Sequence, residues 1–209
     1  MRRLRASASA VFGAELPAGT EQLVREGARE LQLGRLRLTV APDGGRSLSA
    51  DVRVAPLPRE AVFPAFSHAA SLTRLVVQGG LGAHKWADRS LVEPAEADGA
   101  VALIVDVDGA VLEASRGTVF IVEDGVIVTP PADGRLLPGV TRRRVLDLVP
   151  VREEPVPLDR LLEADEVFLT GSVRGVEPVR DYNGARRWSE GTLTRAVSDD
   201  LRRRWEDGA

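Results

Sequence analysis

The sequence has no cysteine, two histidines and a single lysine among its 28 cationic residues. Without cysteine there is no disulfide and no thiolate metal site, and His68 and His84 alone are few ligands for a metal, so we predict no metal centre. The net charge of −3 disfavours nucleic-acid binding. No apolar run is long enough to span a bilayer, and no segment resembles a secretion signal. We therefore expect a cytoplasmic protein with neither a membrane nor a nucleic-acid partner.

What the sequence does contain is typical of a folded chain of one or two domains, with 209 residues, 44% apolar and 28% charged. The first part predicts two helices, at 4–13 and 20–34, followed by alternating strands at 35–41 and 47–56. The rest predicts mainly strands: 72–78, hairpins over 101–115 and 118–130, and 166–172, which is followed by a loop. Two further helices are predicted, one opened by the glycine turn of "LPGVTRRR" with its arginines toward solvent, and a closing helix at 192–205.

The single lysine, Lys85, lies in the segment "GAHKWADRS" after a glycine-rich loop. A guanidinium stays protonated, whereas a primary amine can lose its proton in a desolvated site and form a Schiff base with a carbonyl. Lys85 is therefore a candidate nucleophile. The alternative is a surface lysine in an arginine-rich chain.

Glu113 lies within a predicted strand and is flanked by apolar residues. Strand alternation favours an outward-facing side chain. A buried carboxylate would instead need a cationic partner, such as the protonated ring nitrogen of pyridoxal phosphate.

Two glycine turns are candidates for phosphate binding. In "LPGVTRRR", Gly139 precedes a helix whose first residues, Val140 and Thr141, would present backbone N–H groups and a hydroxyl. In "FLTGSVRG", the hydroxyls of Thr170 and Ser172 flank Gly171. Each turn alone could be an ordinary helix cap or polar loop. Together with an amine and a carboxylate, they are consistent with pyridoxal phosphate.

The order of these motifs carries a family resemblance. After Lys85 come "EASRGTVF", "EDGVIVTPP", "LLPGVTRRRVL" and "VFLTGSVRGVEPV". The series resembles the class IV aminotransferases, which are fold-type IV pyridoxal phosphate enzymes. The resemblance implies a two-domain fold of mixed α+β and α/β character, like that of D-amino acid aminotransferase. It places a shortened small α/β domain at 1–70 and a larger β-rich cofactor domain at 71–209.

Apart from the resemblance, Arg174 and Tyr182 are candidate contacts for a substrate carboxylate, and the alternatives are an exposed arginine and a turn tyrosine. The resemblance itself assigns further roles. Lys85 would carry the cofactor and move protons, and Glu113 would hold the pyridinium nitrogen. The residues expected around the phosphate are Arg3, Gly139, Val140, Thr141, Gly171 and Ser172. The resemblance also implies a homodimer that acts on a small-molecule substrate.

Within the family, "HKWADR" is most similar to the 4-amino-4-deoxychorismate lyases, which eliminate pyruvate and leave 4-aminobenzoate for folate synthesis. Two alternatives stay open: a branched-chain or D-amino acid aminotransferase, and an inactive relative that serves as a binding or dimerisation module. The sequence departs from the family pattern in several respects. Thr118 replaces the usual asparagine of the glutamate motif. The strands expected before the "RRL" helix, the histidine of that helix motif and a threonine that helps protonation in the lyases have no counterpart.

Overall fold

The chain forms two compact units, 1–59 and 60–209, in a computed structural model that describes residues 1–45 and 47–208. The division precedes the predicted boundary at residue 70. The segment 60–69 belongs to the second unit because Phe63 is buried in a core cluster of that unit, with Val176 and Val197 among its members. The two units are described separately below.

The first unit contains two helices and one hairpin, as the sequence pattern predicts. Helices α1 (Arg2–Phe12) and α2 (Thr20–Arg29) precede strands β1 (Gly34–Pro42) and β2 (Leu48–Pro56), which pair antiparallel. Helix α2 packs closely on the hairpin: a Cβ atom on Gly27 would lie 2.9 Å from Cγ1 of Val52. Helix α2 ends at Arg29, before the predicted residue 34.

The second unit is built mainly of strands. Its strands are β3 (Ala70–Val76), β4 (Val101–Val105), β5 (Ala110–Ala114), β6 (Thr118–Glu123), β7 (Val126–Thr129), β8 (Val151–Glu153), β9 (Val156–Pro157), β10 (Glu166–Gly171), β11 (Gly175–Tyr182) and β12 (Arg186–Arg187). Its helices are α3 (Val140–Leu148), α4 (Leu158–Glu163) and α5 (Thr192–Glu206). Three short 3₁₀ turns lie at Arg59–Ala61, Phe66–His68 and Glu93–Glu96, the first beginning at the division between the units.

These strands form one ten-stranded sheet in the order β8-β7-β6-β10-β11-β3-β4-β5-β9, with β12 paired to β11. The pairs β11–β3, β3–β4 and β7–β8 are parallel, and the others are antiparallel. The sheet curls until β5 meets the turn before β6, where Ala114 and Gly117 form a bridge. Strands β5, β6, β10, β11, β3 and β4 therefore enclose a barrel-like interior.

Strand alternation divides the side chains between the interior and two outer clusters. Leu103, Val119 and Leu169 belong to the interior cluster. Phe120 and Phe168 stack with ring centroids 4.9 Å apart on the outer face that α3 and α5 cover. A second outer cluster includes Ile104, Leu112 and Leu136. Apolar residues on both faces explain why these strands read as nearly continuous apolar runs.

The segment after residue 172 was expected to be a loop, and this expectation is wrong. Strand β11 occupies its first half and lies between β10 and β3. Its sequence, "GVEPVRDY", lacks a regular alternation and contains a proline and three charged residues, which disguise a strand whose middle is fully buried.

Among the described residues, no helix combines the length and apolar content needed to cross a bilayer.

Candidate active site

A β-bulge lies next to Glu113 in β5. Glu113 pairs with Ile104, and the register then shifts so that Val105 faces Val111, which leaves Leu112 as the extra residue of β5. Directly paired antiparallel residues share a sheet face. Glu113 therefore lies on the outer face with Ile104 and Leu112, where it is 6% exposed. The segment that contains Leu136 and Leu137 covers this face, so an outward-facing glutamate is a buried carboxylate.

The surroundings of Glu113 favour its neutral form in this structure. Burial raises its pKa, while a hydrogen bond from the backbone N–H of Leu137 (3.3 Å to Oε1) and the positive charge of Lys85 lower it, with a net value of about 7. Lys85 is thus close enough to Glu113 to act on it electrostatically. The structure brings together the amine and the carboxylate that the sequence singled out.

The segment that carries Lys85 is anchored on both sides. Before the lysine, the N–H of Gly82 donates to the carbonyl of Arg135 (3.0 Å), and a Cβ on Gly80 would lie 2.2 Å from the same oxygen. After it, Arg89 donates to the carbonyl of Ser115 (3.1 Å) and to Glu96 (2.5 Å). The Lys85 side chain itself is exposed to solvent. The anchors fix the loop against β5 and the 135–137 segment, next to Glu113.

The predicted glycine turn at 139 does open a helix. Gly139 is the N-cap of α3, with extended backbone angles, Val140 is exposed and Thr141 is buried. A Cβ on Gly139 would lie 2.9 Å from Oγ1 of Thr118, so the turn packs directly on the start of β6. Thr118 stands where the family pattern has asparagine, and its position against the helix start was not expected from the sequence.

One arginine of this helix contradicts the prediction that all of them face solvent. Arg142 is 5% exposed and donates to the carbonyl of Pro130 (3.0 Å) and to Glu153 (2.6 Å). Arg143 and Arg144 are exposed. Arg142 lies on the same helix face as the buried Val145, which turns its guanidinium inward toward β8.

The second glycine turn lies next to the first. Thr170 pairs with Thr118 across β10 and β6, and a Cβ on Gly171 would lie 3.0 Å from the carbonyl oxygen of Arg116. Ser172 is exposed. Oγ1 of Thr170 is buried and has no hydrogen-bond partner in the part of the chain that the structure describes. A buried hydroxyl that lacks a partner, beside two glycine turns, indicates a site for a polar ligand.

Three other predicted residues have different surroundings. Arg174 is part-exposed and forms an ion pair with the buried Glu177 (3.4 Å). Tyr182 lies in the interior cluster and is 9% exposed, which argues against contact with a substrate. Arg3 lies on α1 of the first unit, so its expected contact with a phosphate stays a prediction.

Two charged residues at this end of the barrel were missed. Arg116 donates from Nε (3.1 Å) and Nη2 (2.5 Å) to the two carboxylate oxygens of Glu177. In sequence, Arg116 is a turn residue and Glu177 lies in the segment taken for a loop, so no local pattern connects them. Only the neighbouring "EASRGT" and "GSVRGVEP" motifs could have drawn attention to these positions.

The residues at the site fit pyridoxal phosphate. A buried carboxylate with a pKa near 7 suits the ring nitrogen, and the single lysine beside it suits the aldehyde. The start of α3 and the unsatisfied hydroxyl of Thr170 suit an anionic phosphate. The close glycine contacts hold both turns against neighbouring strands, beside the buried hydroxyl of Thr170.

Comparisons with known proteins agree with this architecture. The profile of the family described as "Amino-transferase class IV" matches residues 1–182. The chain is 46% identical over 89 residues to branched-chain-amino-acid aminotransferase 3, chloroplastic, from Arabidopsis thaliana, a match that covers 39% of this chain and 22% of that protein. The chain thus spans well under two thirds of the curated relatives it matches.

Solved structures cover more of the chain. A candidate 4-amino-4-deoxychorismate lyase from Legionella pneumophila superposes with a TM-score of 0.82 at 20% identity, covering 97% of this chain and 83% of that one. An aminotransferase from Brucella abortus, bound to the cofactor PLP, gives 0.75 at 25% identity, covering 97% and 81%. The predicted fold is therefore confirmed. Family profile and fold agree, and this chain belongs to the class IV aminotransferase family.

Proposed function

We propose that this chain binds pyridoxal phosphate at Lys85 and Glu113 and acts as a 4-amino-4-deoxychorismate lyase. The observation that carries the cofactor assignment is the position of the only lysine beside a buried carboxylate. The fold similarity to the Legionella protein and the "HKWADR" motif support the choice of lyase.

In this proposal each residue has a limited task. Glu113 holds a proton or a positive charge at the ring nitrogen, and bound pyridoxal phosphate supplies an electron sink for a substrate carbon that loses its proton. Lys85 carries the cofactor and then takes that proton from the amine-bearing carbon. Gly139, Val140, Thr141, Gly171 and Ser172 bind the phosphate, with Thr170 beside them. The family resemblance adds Arg3 to the residues proposed for the phosphate.

A branched-chain aminotransferase is the second candidate, because the Arabidopsis relative carries that name. The reactions differ after the proton is removed. The lyase releases pyruvate and 4-aminobenzoate from 4-amino-4-deoxychorismate without another substrate. An aminotransferase needs an α-keto acid to accept the amino group. Assays for pyruvate release, with and without added keto acid, distinguish these candidates.

The cofactor proposal is tested by the absorbance spectrum of purified protein after pyridoxal phosphate is added. We expect a visible band that borohydride reduction converts into a permanent label. Because Lys85 is the only lysine, a label on any side-chain amine must lie there, and the N-terminal amine is the other primary amine to map by peptide mass. Lys85→Ala should lose both band and label. A wild-type protein without a Lys85-dependent band would leave an inactive member of the family.

We also propose a homodimer, which follows from the family resemblance. Trp86 and Leu91, both 55% exposed, lie close in sequence to Lys85 and offer apolar surface for a second copy. Sedimentation should give twice the monomer mass of 22.5 kDa, and a monomeric protein would contradict the proposal.

A further inference from the structure

Three charged side chains meet where the barrel opens between two turns. The carboxylate of Glu177 is 3% exposed and accepts two hydrogen bonds from Arg116, and Arg174 lies 3.4 Å from its Oε1. Glu177 pairs with Leu169, which places it on the interior face of the sheet. Two guanidinium groups, each about one-third exposed, thus lie at the mouth of the barrel.

The turns that carry these arginines are interlocked. A Cβ on Gly117 would lie 2.7 Å from the carbonyl oxygen of Thr170, and one on Gly171 would lie 3.0 Å from that of Arg116. The carbonyl of Arg174 accepts a 2.9 Å hydrogen bond from the N–H of Phe63. Backbone contacts therefore hold both arginines in place before any ligand arrives.

The charges at this mouth do not balance. Two guanidinium groups face one buried carboxylate, which leaves one net positive charge. Arg116 uses two of its five N–H groups on Glu177, and an arginine offers the remainder in a planar fork that matches a carboxylate. Barrel mouths are common ligand sites. The cluster therefore has the charge and the donors for an anionic group of a small molecule.

The cluster also lies beside the proposed reacting centre. Arg116 follows Glu113 by three residues, which limits their Cα atoms to about 10 Å at strand spacing. Arg174 follows the Gly171–Ser172 turn by two residues. The Lys85 segment is tied to the same turn, since Arg89 donates to the carbonyl of Ser115, the residue before Arg116.

We propose that Arg116 and Arg174, oriented by the buried Glu177, bind a carboxylate group of the substrate. The identity of the substrate in this proposal rests on the proposed function, whereas the binding of an anion by the two arginines does not. Arg116 and Arg174 contact the ligand, and Glu177 is a positioning residue. The carboxylate has two possible sources: the ring carboxylate of a substrate whose ring becomes aromatic in the reaction, or the α-carboxylate of an aliphatic amino acid.

The test is calorimetric titration with two matched pairs of probes. The aromatic pair is 4-aminobenzoate and 4-aminobenzamide, and the aliphatic pair is 3-methylbutanoate and 3-methylbutanamide. We expect one carboxylate to bind about tenfold more tightly than its amide, which corresponds to a charge-assisted hydrogen bond. The pair that shows the preference identifies the source of the carboxylate.

The variants Arg116→Gln and Arg174→Gln should each abolish most of the preference for the carboxylate over its amide. The thermal unfolding midpoint of each variant is measured as well, to show that the variant is folded. Arg195→Gln is the matched control, because this arginine lies on α5 and forms an exposed ion pair with Glu190, which precedes the helix. If Arg116→Gln does not fold, Arg174→Gln decides, since its ion pair with Glu177 is longer. Equal binding of carboxylate and amide, a preference that survives both substitutions, or no saturable binding would each overturn the proposal.

A failure of the proposed function can be told apart from a failure of the anion subsite. The titrations are run with and without pyridoxal phosphate, beside the absorbance measurement. A Lys85-dependent band without a carboxylate preference contradicts the anion subsite alone. A preference for carboxylate without the band supports the subsite and contradicts the cofactor.

Discussion

Glu113 faces Ile104 across the β4–β5 pair, one residue before the register shifts. That relationship buries a carboxylate on an otherwise apolar outer face. A carboxyl group whose pKa is higher in the folded than in the unfolded state binds protons more readily when folded. Its contribution to stability is therefore present at low pH and lost as the pH rises.

The first prediction concerns the stability of the cofactor-free protein. The pKa of Glu113 rises from 4.5 to about 7 on folding, so its contribution should fall between about pH 4.5 and pH 7. The full shift corresponds to about 3 kcal/mol. Glu113→Gln should remove this pH dependence from the free energy of unfolding, measured by urea denaturation. The exposed Glu163→Gln is the control, and an unchanged slope in Glu113→Gln would contradict the prediction.

The second prediction tests the contact between Gly139 and Thr118. Gly139→Ala keeps an allowed backbone conformation but places a methyl group 2.9 Å from the threonine hydroxyl. We expect a loss of about 1–3 kcal/mol from overpacking, measured by urea denaturation, and weaker binding of pyridoxal phosphate. Combining it with Thr118→Ala should recover part of the stability, since the methyl group gains space. Additive losses in the double variant would show that the two residues do not press on each other.

The third prediction compares neighbouring arginines of α3. Arg142 is buried with two hydrogen-bond partners, whereas Arg143 is exposed and paired with Asp147. Arg142→Ala should cost about 3 kcal/mol of unfolding free energy, because Glu153 and the Pro130 carbonyl lose their donor. Arg143→Ala should cost about 0.5 kcal/mol or less. Similar costs for both would mean that Arg142 is not held as the structure indicates.

The fourth prediction separates packing from backbone strain at two glycines. Gly175 and Gly184 have φ values of +64° and +67°, so alanine is strained at both. A Cβ on Gly175 would also lie 2.3 Å from the ring of Phe63, while Gly184 has open space. Thermal denaturation should therefore show a larger loss for Gly175→Ala. A larger loss for Gly184→Ala would contradict the packing of Phe63 on this turn.

Much of the fold could be predicted from local patterns. The hairpins turn at Asp108-Gly109 and Asp124-Gly125 because these dipeptides adopt the required turns, and the apolar runs around them supply the barrel. Strand β11 escaped prediction although it forms a hairpin with the preceding β10, because its proline and charged residues break the alternation and its other neighbour, β3, is distant in sequence. Its pairing with β3 joins Val179 to Ala70, and such a parallel pair leaves no turn signal.

Part of the candidate site also follows from the sequence. The types of residue at 85, 113, 139 and 171 suggested the proposed chemistry before their positions were known. The outward direction of Glu113 agrees with strand alternation, but its burial was not predictable, because the segment that covers it, with Leu136 and Leu137, is more than 20 residues away in sequence. The ion pair between Arg116 and Glu177 joins positions 61 residues apart, and only the closing of the sheet brings them together.

The bulge in β5 also gives the outer face one side chain more than regular pairing would supply. Val111 and Ala114 both face the interior, so the two residues between them, Leu112 and Glu113, share the outer face. Deleting Leu112 would let β5 pair regularly with β4 and would leave Glu113 opposite Ile104. The deletion would instead remove the side chain that packs on Gly80, where a Cβ would lie 2.6 Å from Cδ1 of Leu112. The inserted residue therefore serves as a spacer between the carboxylate strand and the glycine-rich loop that leads to Lys85.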